Sequence, residues 1–114
     1  MIKLLGGGKL GRTGSHRRAM MRIMTTSLIL HERVRTTVAK AKELRPFAEK
    51  IISQAKRGEH HQVRRHLHNK VAYKKLFEVL ARRYEGRPGG YTQILRLARR
   101  PGDNAQTGMV RLIP

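Results

Sequence analysis

The sequence between residues 9 and 22 concentrates side chains that bind phosphate. Its charged and titratable groups are all basic, and no acidic residue occurs before Glu32. Arginine presents a planar fork of N–H donors that fits phosphate oxygens, and lysine adds a mobile point charge. These residues could therefore capture a polyanion electrostatically. The candidate phosphate-binding residues in this run are Lys9, Arg12, His16, Arg17, Arg18 and Arg22.

A helix that begins near Ser15 is predicted to position the second half of this run. Serine is a favoured N-cap residue, because its hydroxyl accepts a hydrogen bond from an amide of the first turn. Apolar residues then recur at the spacing of a helix with one buried face. Arg17, Arg18 and Arg22 fall largely off that stripe, so we expect them to face solvent or a ligand. The stripe predicted to face the core comprises Ala19, Met20, Ile23, Met24, Ser27, Leu28 and His31.

Residues 1–14 precede this helix as a basic, glycine-rich arm. Glycine leaves the backbone without a fixed shape, so such an arm can follow a phosphate backbone. The start of the helix adds free amides and partial positive charge, which also favour an anion. Residues 15–114 have the length of one domain with a modest core. The chain is therefore divided into an arm and a single domain.

Three further helices are predicted downstream, over 36–58, 59–68 and 69–86. Thr36 or Thr37 caps the first, Asn69 caps the last, and a glycine ends each of these two. Pro46 interrupts the first, where we expect a kink because proline lacks an amide donor. The predicted buried stripes are Val38, Ala41, Leu44, Ala48, Ile51, Ile52 and Ala55 in the first, and Ala72, Tyr73, Leu76, Phe77, Leu80 and Tyr84 in the last.

Short strands are predicted over 33–36, 91–97 and 109–113 from their alternating or branched and aromatic residues. The last two should pair as an antiparallel hairpin, and the first should join them. The predicted fold class is α/β in the α+β sense. It is a single domain in which a small three-stranded mixed sheet is packed by about four helices.

The charge balance of the chain favours a polyanionic partner. The 114 residues include 26 Lys and Arg but only 7 Asp and Glu, a net charge of +19. Such an excess destabilises a compact chain by self-repulsion unless a polyanion neutralises it. The basic residues are dispersed along the whole length, so we expect a partner that touches several faces, as folded RNA does. No run approaches the roughly 20 apolar residues of a membrane-spanning helix, and we expect no membrane insertion.

No arrangement of residues predicts an enzyme, a small-molecule substrate or a cofactor. Residues 6–13 nearly match the phosphate-binding loop G-x-x-x-x-G-K-[ST], but Arg12 replaces its lysine and no buried strand precedes it. Four histidines between residues 60 and 68 suggest a metal, yet positions two apart on a helix face away from each other. The carboxylates are scattered, and the chain has no cysteine.

Aromatic residues are too few for a protein that stacks single-stranded bases. The chain has no Trp, two Phe and three Tyr, and most lie on a predicted buried stripe. Tyr91 is the one aromatic residue left open for RNA contact. Recognition of folded RNA by shape, phosphates and ribose hydroxyls is the favoured interpretation. The alternative is a free-standing DNA- or nucleoid-binding protein, although no helix pair joined by a tight turn precedes an exposed recognition helix.

Several short blocks occur in an order that resembles a known family. They are Gly11-Arg12, Ser15-His16-Arg17, Ala19-Met20, His31-Glu32, Thr36-Thr37, Ala39 to Arg45, Gly89-Gly90-Tyr91-Thr92 and Gly102-Asp103-Asn104-Ala105. From about residue 9 to residue 113 the chain resembles the bacterial-type family of large-subunit ribosomal protein L17. Ordered blocks of this kind are more specific than any one short motif.

The resemblance implies a single α/β domain without catalytic activity, placed in the large ribosomal subunit near the mouth of the peptide exit tunnel. It also implies contacts to large-subunit ribosomal RNA and to neighbouring ribosomal proteins. The arm and first helix of the family approach RNA, which the six basic residues from Lys9 to Arg22 match. Weaker matches add Arg35, Lys40, Lys42, Tyr91, Arg96, Arg99 and Arg100.

Three departures from the family pattern stand out. The chain begins with residues 2–8, Ile-Lys-Leu-Leu-Gly-Gly-Gly, where the family has a dense Arg/His cluster. Gln93 replaces the usual Arg after Gly-Gly-Tyr-Thr, and Arg111 occupies the acidic position of the last strand. This drifted, more basic sequence favours a mitochondrial ribosome in the matrix, with the bacterial cytoplasm and the plastid stroma as alternatives.

Overall fold

A computed structural model describes residues 14–114, so the predictions for Lys9, Arg12 and the near-match loop at 6–13 lie outside the described residues. Within this range no helix has the length and apolar character needed to cross a membrane. The described chain forms four helices and three strands. In order they are α1 (Gly14–His31), β1 (Arg33–Thr37), α2 (Val38–Lys56), α3 (His60–Arg64), α4 (residues 70–83), β2 (Thr92–Arg96) and β3 (Thr107–Leu112).

The sheet is antiparallel throughout, with the strand order β1-β3-β2. The prediction of a mixed sheet was wrong in this respect, whereas the three strands and the β2–β3 pairing are confirmed. β1 and β2 do run parallel to each other, but β3 lies between them. β3 buries every second residue, namely Gly108, Val110 and Leu112, so it is the strand best suited to the centre.

α1 and α2 provide the main helix contacts to the sheet, and α3 and α4 pack against these two helices. The buried stripe predicted for α2 is confirmed at all seven positions, from Val38 to Ala55. α4 buries Ala72, Leu76 and Leu80, with Tyr84 immediately after its last turn. Tyr73 and Phe77 of the predicted stripe are partly buried at its edge. These positions follow the helical period, which is why periodicity alone located them.

The buried face of α1 differs from the predicted one. The helix buries Met21, Thr25, Leu28 and Ile29, one position beyond most of the predicted stripe. Ile23 is 68% exposed, whereas Met24 packs only at the margin of the core. Apolar residues lie around most of α1, so two neighbouring stripes fit the same period and packing selects one of them. Ser15 lies inside the helix, which the structure describes from Gly14 onward, so the prediction of Ser15 as N-cap was also wrong.

The caps of α2 and α4 are residues that the sequence predicts as caps. The Thr37 hydroxyl accepts a hydrogen bond from the Lys40 amide at 3.3 Å, and the Asn69 side chain accepts one from the Ala72 amide at 2.9 Å. Gly58, with a φ of 73°, follows α2 as predicted. α2 continues through Pro46 as one helix of 19 residues. Pro46 is exposed, so water can reach the carbonyl that it leaves without an amide donor.

α4 contains a π-helical segment over Leu76–Leu80, between α-helical ends. The amide of Ala81 donates to the carbonyl of Leu76, five residues earlier. Such a segment inserts one extra residue into a turn and rotates the side chains that follow it. In this helix the rotation accompanies burial of both Leu80 and Tyr84.

A carboxylate joins the end of α1 to α4. Glu32 follows α1 with a φ of 63°, a left-handed conformation that is costly for a residue with a side chain. Its carboxylate accepts hydrogen bonds from both terminal nitrogens of Arg83 at 2.7 and 3.2 Å, and Lys75 Nζ lies at 3.0 Å. These interactions fix α1 against α4 and hold the strained turn.

Candidate nucleic-acid interface

The corner between β1 and α2 brings several basic residues to the start of a long helix. Thr37 caps α2, and the first turn contains no acidic residue, so the positive end of the helix dipole is not compensated locally. Lys42 is exposed and Lys40 is half-buried on the first turns of α2. Arg35 precedes them on β1 with an exposed side chain. The corner therefore presents three of the predicted residues at the positive end of the helix dipole of α2.

The loop between β2 and β3 lies beside this corner. Arg35 lines one open groove with Arg99 and Arg100, and Lys42 lines a neighbouring groove with Gln106. We call Arg35, Lys42, Arg99 and Arg100 the corner surface. The structure thus assembles residues that lie up to 65 positions apart in the sequence. Distributed cations of this kind suit the repeated phosphates of a folded nucleic acid.

Two arginines of the corner surface are held by their own loop. The Arg100 guanidinium donates to both oxygens of Asp103, at 3.2 and 2.6 Å, and this lowers the pKa of Asp103 to about 2. Arg99 donates to the carbonyl of Asn104 at 3.0 Å. Asp103 thereby compensates much of the charge of Arg100, whereas Arg99 keeps its charge while being held in place.

The predicted residues of α1 do not form one equivalent set. His16 and Arg18 are exposed on the first turns. Arg17 Nη1 lies 3.6 Å from Glu43 Oε1 of α2, so this carboxylate compensates part of the charge of Arg17. Arg22 is half-buried, and its Nε atom is inaccessible to solvent. The sequence predicts these residues as one group. In the fold they differ in exposure and in ion pairing, and therefore in how readily each can contact a phosphate.

Tyr91 is a core residue, which corrects its prediction as an RNA contact. Its side chain is 2% exposed and its ring lies 5.1 Å from that of Tyr84. The hydroxyl accepts hydrogen bonds from Lys56 Nζ at 2.9 Å and Ser53 Oγ at 3.4 Å. Burial raises the pKa of Tyr91, but these donors outweigh burial and leave the pKa below its ordinary value. The ring has no free face on which a base could stack.

The block Gly89-Gly90-Tyr91-Thr92 therefore has a structural role. Thr92 donates to Glu49 Oε2 of α2 from both its amide, at 3.2 Å, and its hydroxyl, at 2.7 Å. Gly90 has a φ of 65°, which glycine adopts without steric cost. The block thus turns the chain and fastens the start of β2 to α2. Arg96, at the far end of β2, is exposed as its prediction requires.

The outer face of the sheet carries basic residues that were not among the RNA contacts predicted from the sequence. Arg33 and Arg35 project from the same face of β1, and both line a groove with Leu97 and Met109. Arg111 occupies the position next to Arg33 on β3. The two-residue period of β1 could have identified Arg33, because Arg33 and the predicted RNA contact Arg35 lie on the same face of this strand.

The acidic residues of the described chain serve mainly as partners for cations. Five of the seven form ion pairs with Arg or Lys, which are Glu32, Glu43, Glu49, Glu59 and Asp103. No group of three or more His and acidic side chains within residues 14–114 could hold a metal ion. What these surfaces can do chemically is bind and orient a polyanion.

The fold and this distribution of charge define a small, basic α+β protein whose surface suits a polyanionic partner. The family model described as Ribosomal protein L17 matches residues 20–113. The chain belongs to the ribosomal protein L17 family, whose members are structural and non-enzymatic, as expected from the sequence.

Individual relatives match over nearly the same range. The chain is 59% identical to the large ribosomal subunit protein bL17 of Elusimicrobium minutum, with 99% of each chain covered. It is 42% identical to the protein of the same name from Endomicrobium trichonymphae, again over 99% of each. Identity to that of Anaeromyxobacter sp. strain K is 51%, covering 94% of this chain and 70% of the relative.

Proposed function

We propose that this protein is a structural constituent of the large ribosomal subunit that binds and clamps folded large-subunit ribosomal RNA and packs against neighbouring ribosomal proteins. The observation that carries the proposal is the match to the ribosomal protein L17 family over residues 20–113. The names of the relatives, large ribosomal subunit protein bL17, support the same assembly.

The charge distribution supports RNA as the direct ligand. The chain has a net charge of +19, and part of its positive charge lies on α1, the corner surface and the outer face of the sheet. A phosphate backbone that folds around the protein can neutralise all of these surfaces at once, whereas a small anion can neutralise one. The residues expected to bind phosphate most directly are exposed Arg18 and three members of the corner surface, Arg35, Lys42 and Arg99. Arg17 and Arg100 contribute less because carboxylates already hold them.

The salt dependence of RNA affinity tests this assignment. Replacing Arg18, Arg35, Lys42 and Arg99 by Ala in the full chain should lower the slope of log affinity against log salt. The expected loss is about 0.7 to 0.9 for each phosphate contact removed. Arg57→Ala is the matched control, because Arg57 is an exposed arginine already paired with Glu59 at 2.7 Å. An unchanged slope in the fourfold variant would remove these surfaces from the RNA interface.

The alternative, a free-standing DNA- or nucleoid-binding protein, makes a different prediction. Such a protein should hold duplex DNA as tightly as structured RNA and should not sediment with ribosomes. A ribosomal constituent should remain with the large subunit through a gradient in moderate salt. Sedimentation of the native protein, with competition between duplex DNA and large-subunit ribosomal RNA, therefore separates the two functions.

The compartment and the position within the subunit stay predictions. The drifted sequence favours the mitochondrial matrix, but the relatives described above come from bacteria. We therefore favour the bacterial cytoplasm. A place near the exit tunnel follows from the family resemblance. Cross-linking from the corner surface within intact large subunits tests it by identifying the RNA and protein neighbours.

A further inference from the structure

A groove lies between the end of α3 and the start of α4. Arg64 is the last residue of α3, and Lys70 and Tyr73 lie on the first turns of α4. Arg64, His68 and Lys70 are exposed, so a ligand in the groove can reach them. None of the described lining residues belongs to the corner surface or to the RNA contacts predicted from the sequence. We call this feature the α3–α4 groove, and it is lined by Arg64, Leu67, His68, Asn69, Lys70 and Tyr73.

Tyr73 brings the cations of the two helices together. The guanidinium carbon of Arg64 lies over the Tyr73 ring, 5.5 Å from its centroid, in a cation–π contact. The Tyr73 hydroxyl is hydrogen-bonded to Nδ1 of His60, whose ring stacks on that of Phe77 with 4.1 Å between centroids. Lys70 precedes Tyr73 by three residues, so the two lie on neighbouring parts of the same helix surface. Arg64 and Lys70 therefore border one groove although they come from different helices.

The segment that joins the two helices is fixed by hydrogen bonds at both ends. The amide of Leu67 donates to the carbonyl of Val63 at 2.9 Å. The carbonyl of Asn69 accepts from the Tyr73 amide at 2.9 Å, and its side chain accepts from the Ala72 amide at 2.9 Å. The groove is therefore formed before a ligand arrives, and binding requires little ordering of the chain.

The charge of the groove is not compensated within the described protein. Residues 60–77 contain no Asp or Glu. Glu59, just before this segment, is paired with Arg57 at 2.7 Å. None of the ion pairs within residues 14–114 involves Arg64 or Lys70. The groove thus presents cations that remain available to an anionic partner.

We propose that the α3–α4 groove is a second RNA-binding surface, which takes the sugar–phosphate backbone of large-subunit ribosomal RNA. This inference rests on the proposed function, because ribosomal RNA supplies the phosphates. Arg64 and Lys70 bind phosphate oxygens, and the imidazole of His68 adds an N–H donor. RNA held here and at the corner surface would contact the protein at two separate places, as a clamp requires.

The contacts of the groove favour an RNA backbone over stacked bases or a protein segment. The Tyr73 ring already contacts Arg64, His60 and Phe77, so the ring is poorly placed to stack on a base. Protein interfaces depend on apolar anchors that fill pockets. The one aliphatic residue that lines the groove, Leu67, is only 2% exposed. The accessible groups are mainly donors and cations, which suit phosphate.

The salt dependence of RNA affinity tests the groove with a control of equal charge. Arg64→Gln combined with Lys70→Gln in the full chain should lower the slope of log affinity against log salt by about 0.7 to 0.9 for each of two phosphate contacts. The control combines Arg65→Gln with Lys74→Gln. These neighbouring residues are also exposed but do not line the groove. The control should keep a slope close to that of the parent chain, and equal losses in the two variants would overturn the site.

Cross-linking in intact large subunits identifies the partner of the groove. The chain has no cysteine, so His68→Cys provides one attachment point for a photoactivatable cross-linker within the groove. We expect this position to cross-link to large-subunit ribosomal RNA, and to do so more than Lys74→Cys, which lies outside the groove. Cross-links from position 68 to a neighbouring protein alone, or none to RNA, would overturn the assignment to RNA.

Failure of the groove and failure of the proposed function give different results. If the Arg64 and Lys70 variant keeps the parent slope while the corner-surface variant loses slope, the groove is overturned and the ribosomal function stands. If the parent chain neither binds ribosomal RNA nor sediments with the large subunit, the proposed function fails and the groove assignment fails with it.

Discussion

Gln93 lies directly opposite Arg111 on the neighbouring strand, and Arg111 Nε donates a hydrogen bond to Gln93 Oε1 at 2.8 Å. Both residues are among the departures from the resembled family pattern noted in the sequence. In the fold, these two positions are direct neighbours that share one hydrogen bond. Arg33 flanks Arg111 on its other side, so two arginines are adjacent in this row.

Gln93→Arg alone should destabilise the sheet. It replaces the acceptor of the Arg111 hydrogen bond by a third cation in the same row. Like charges directly opposite each other on paired strands are unfavourable, and we expect a loss of about 0.5 to 1 kcal/mol in the free energy of unfolding. Urea unfolding of the full chain measures it. Adding Arg111→Glu should recover the loss, because charges then alternate along the row. A double variant no more stable than Gln93→Arg would contradict this pairing.

Stability should depend on the ionisation of Glu32. Hydrogen bonds from Arg83, with further contributions from Lys75, lower the pKa of Glu32 from 4.5 to about 2 in the folded chain. As the pH falls, the carboxylate of Glu32 becomes protonated in the unfolded chain before it does in the folded chain. The stabilisation is therefore complete above about pH 4.5 and is lost as the pH falls towards 2. Glu32→Gln should cost about 1 kcal/mol near neutral pH, since the group is partly solvated. The difference in the free energy of unfolding between Glu32→Gln and the parent chain should vanish near pH 2. Unfolding measured at several pH values across this range tests it.

Glu78→Gln provides the comparison for that experiment. Glu78 is exposed on α4 and forms no ion pair with another described residue. Its replacement should leave the free energy of unfolding within about 0.5 kcal/mol of the parent chain. If both variants lost stability equally, the general charge of the chain would explain the effect better than the interaction of Glu32 with Arg83 and Lys75.

The buried face of α1 can be checked with acidic substitutions. Leu28 is fully buried, so Leu28→Asp places an unpaired carboxylate in the core and should cost several kcal/mol, enough to unfold the domain. Ile23→Asp changes a residue that is 68% exposed and should leave the fold intact. Met24→Asp should lie between them, because Met24 belongs to the stripe predicted from the sequence but packs only at the margin of the core. Circular dichroism separates the three, and an unfolded Ile23→Asp variant would reverse the face assignment.

Tyr91→Phe should separate core packing from RNA binding. The ring remains in the core, but Lys56 and Ser53 lose the hydroxyl to which they donate. We expect a loss of about 1 kcal/mol in the free energy of unfolding, measured in urea. RNA affinity at constant salt should not change, because the ring is buried. A large loss of RNA affinity in a stably folded variant would restore Tyr91 as a contact residue.

Local patterns in the sequence were sufficient for the parts of the fold that depend on neighbouring residues. The sequence predicts Asn69 as one cap and Thr36 or Thr37 as the other, because a cap is made within one turn of a helix; the structure has Asn69 and Thr37. The buried stripes of α2 and α4 followed from a single apolar face in each helix. The charge excess and the ordered family blocks likewise required no coordinates.

Only the tertiary structure could decide relationships between distant residues. It selected one of two neighbouring apolar stripes on α1, placed β3 between β1 and β2, and buried Tyr91 against α2. It also paired Arg17 of α1 with Glu43 of α2. The spacing of residues along one helix or strand is fixed by backbone geometry, whereas these contacts depend on how separate elements pack, which no local period encodes.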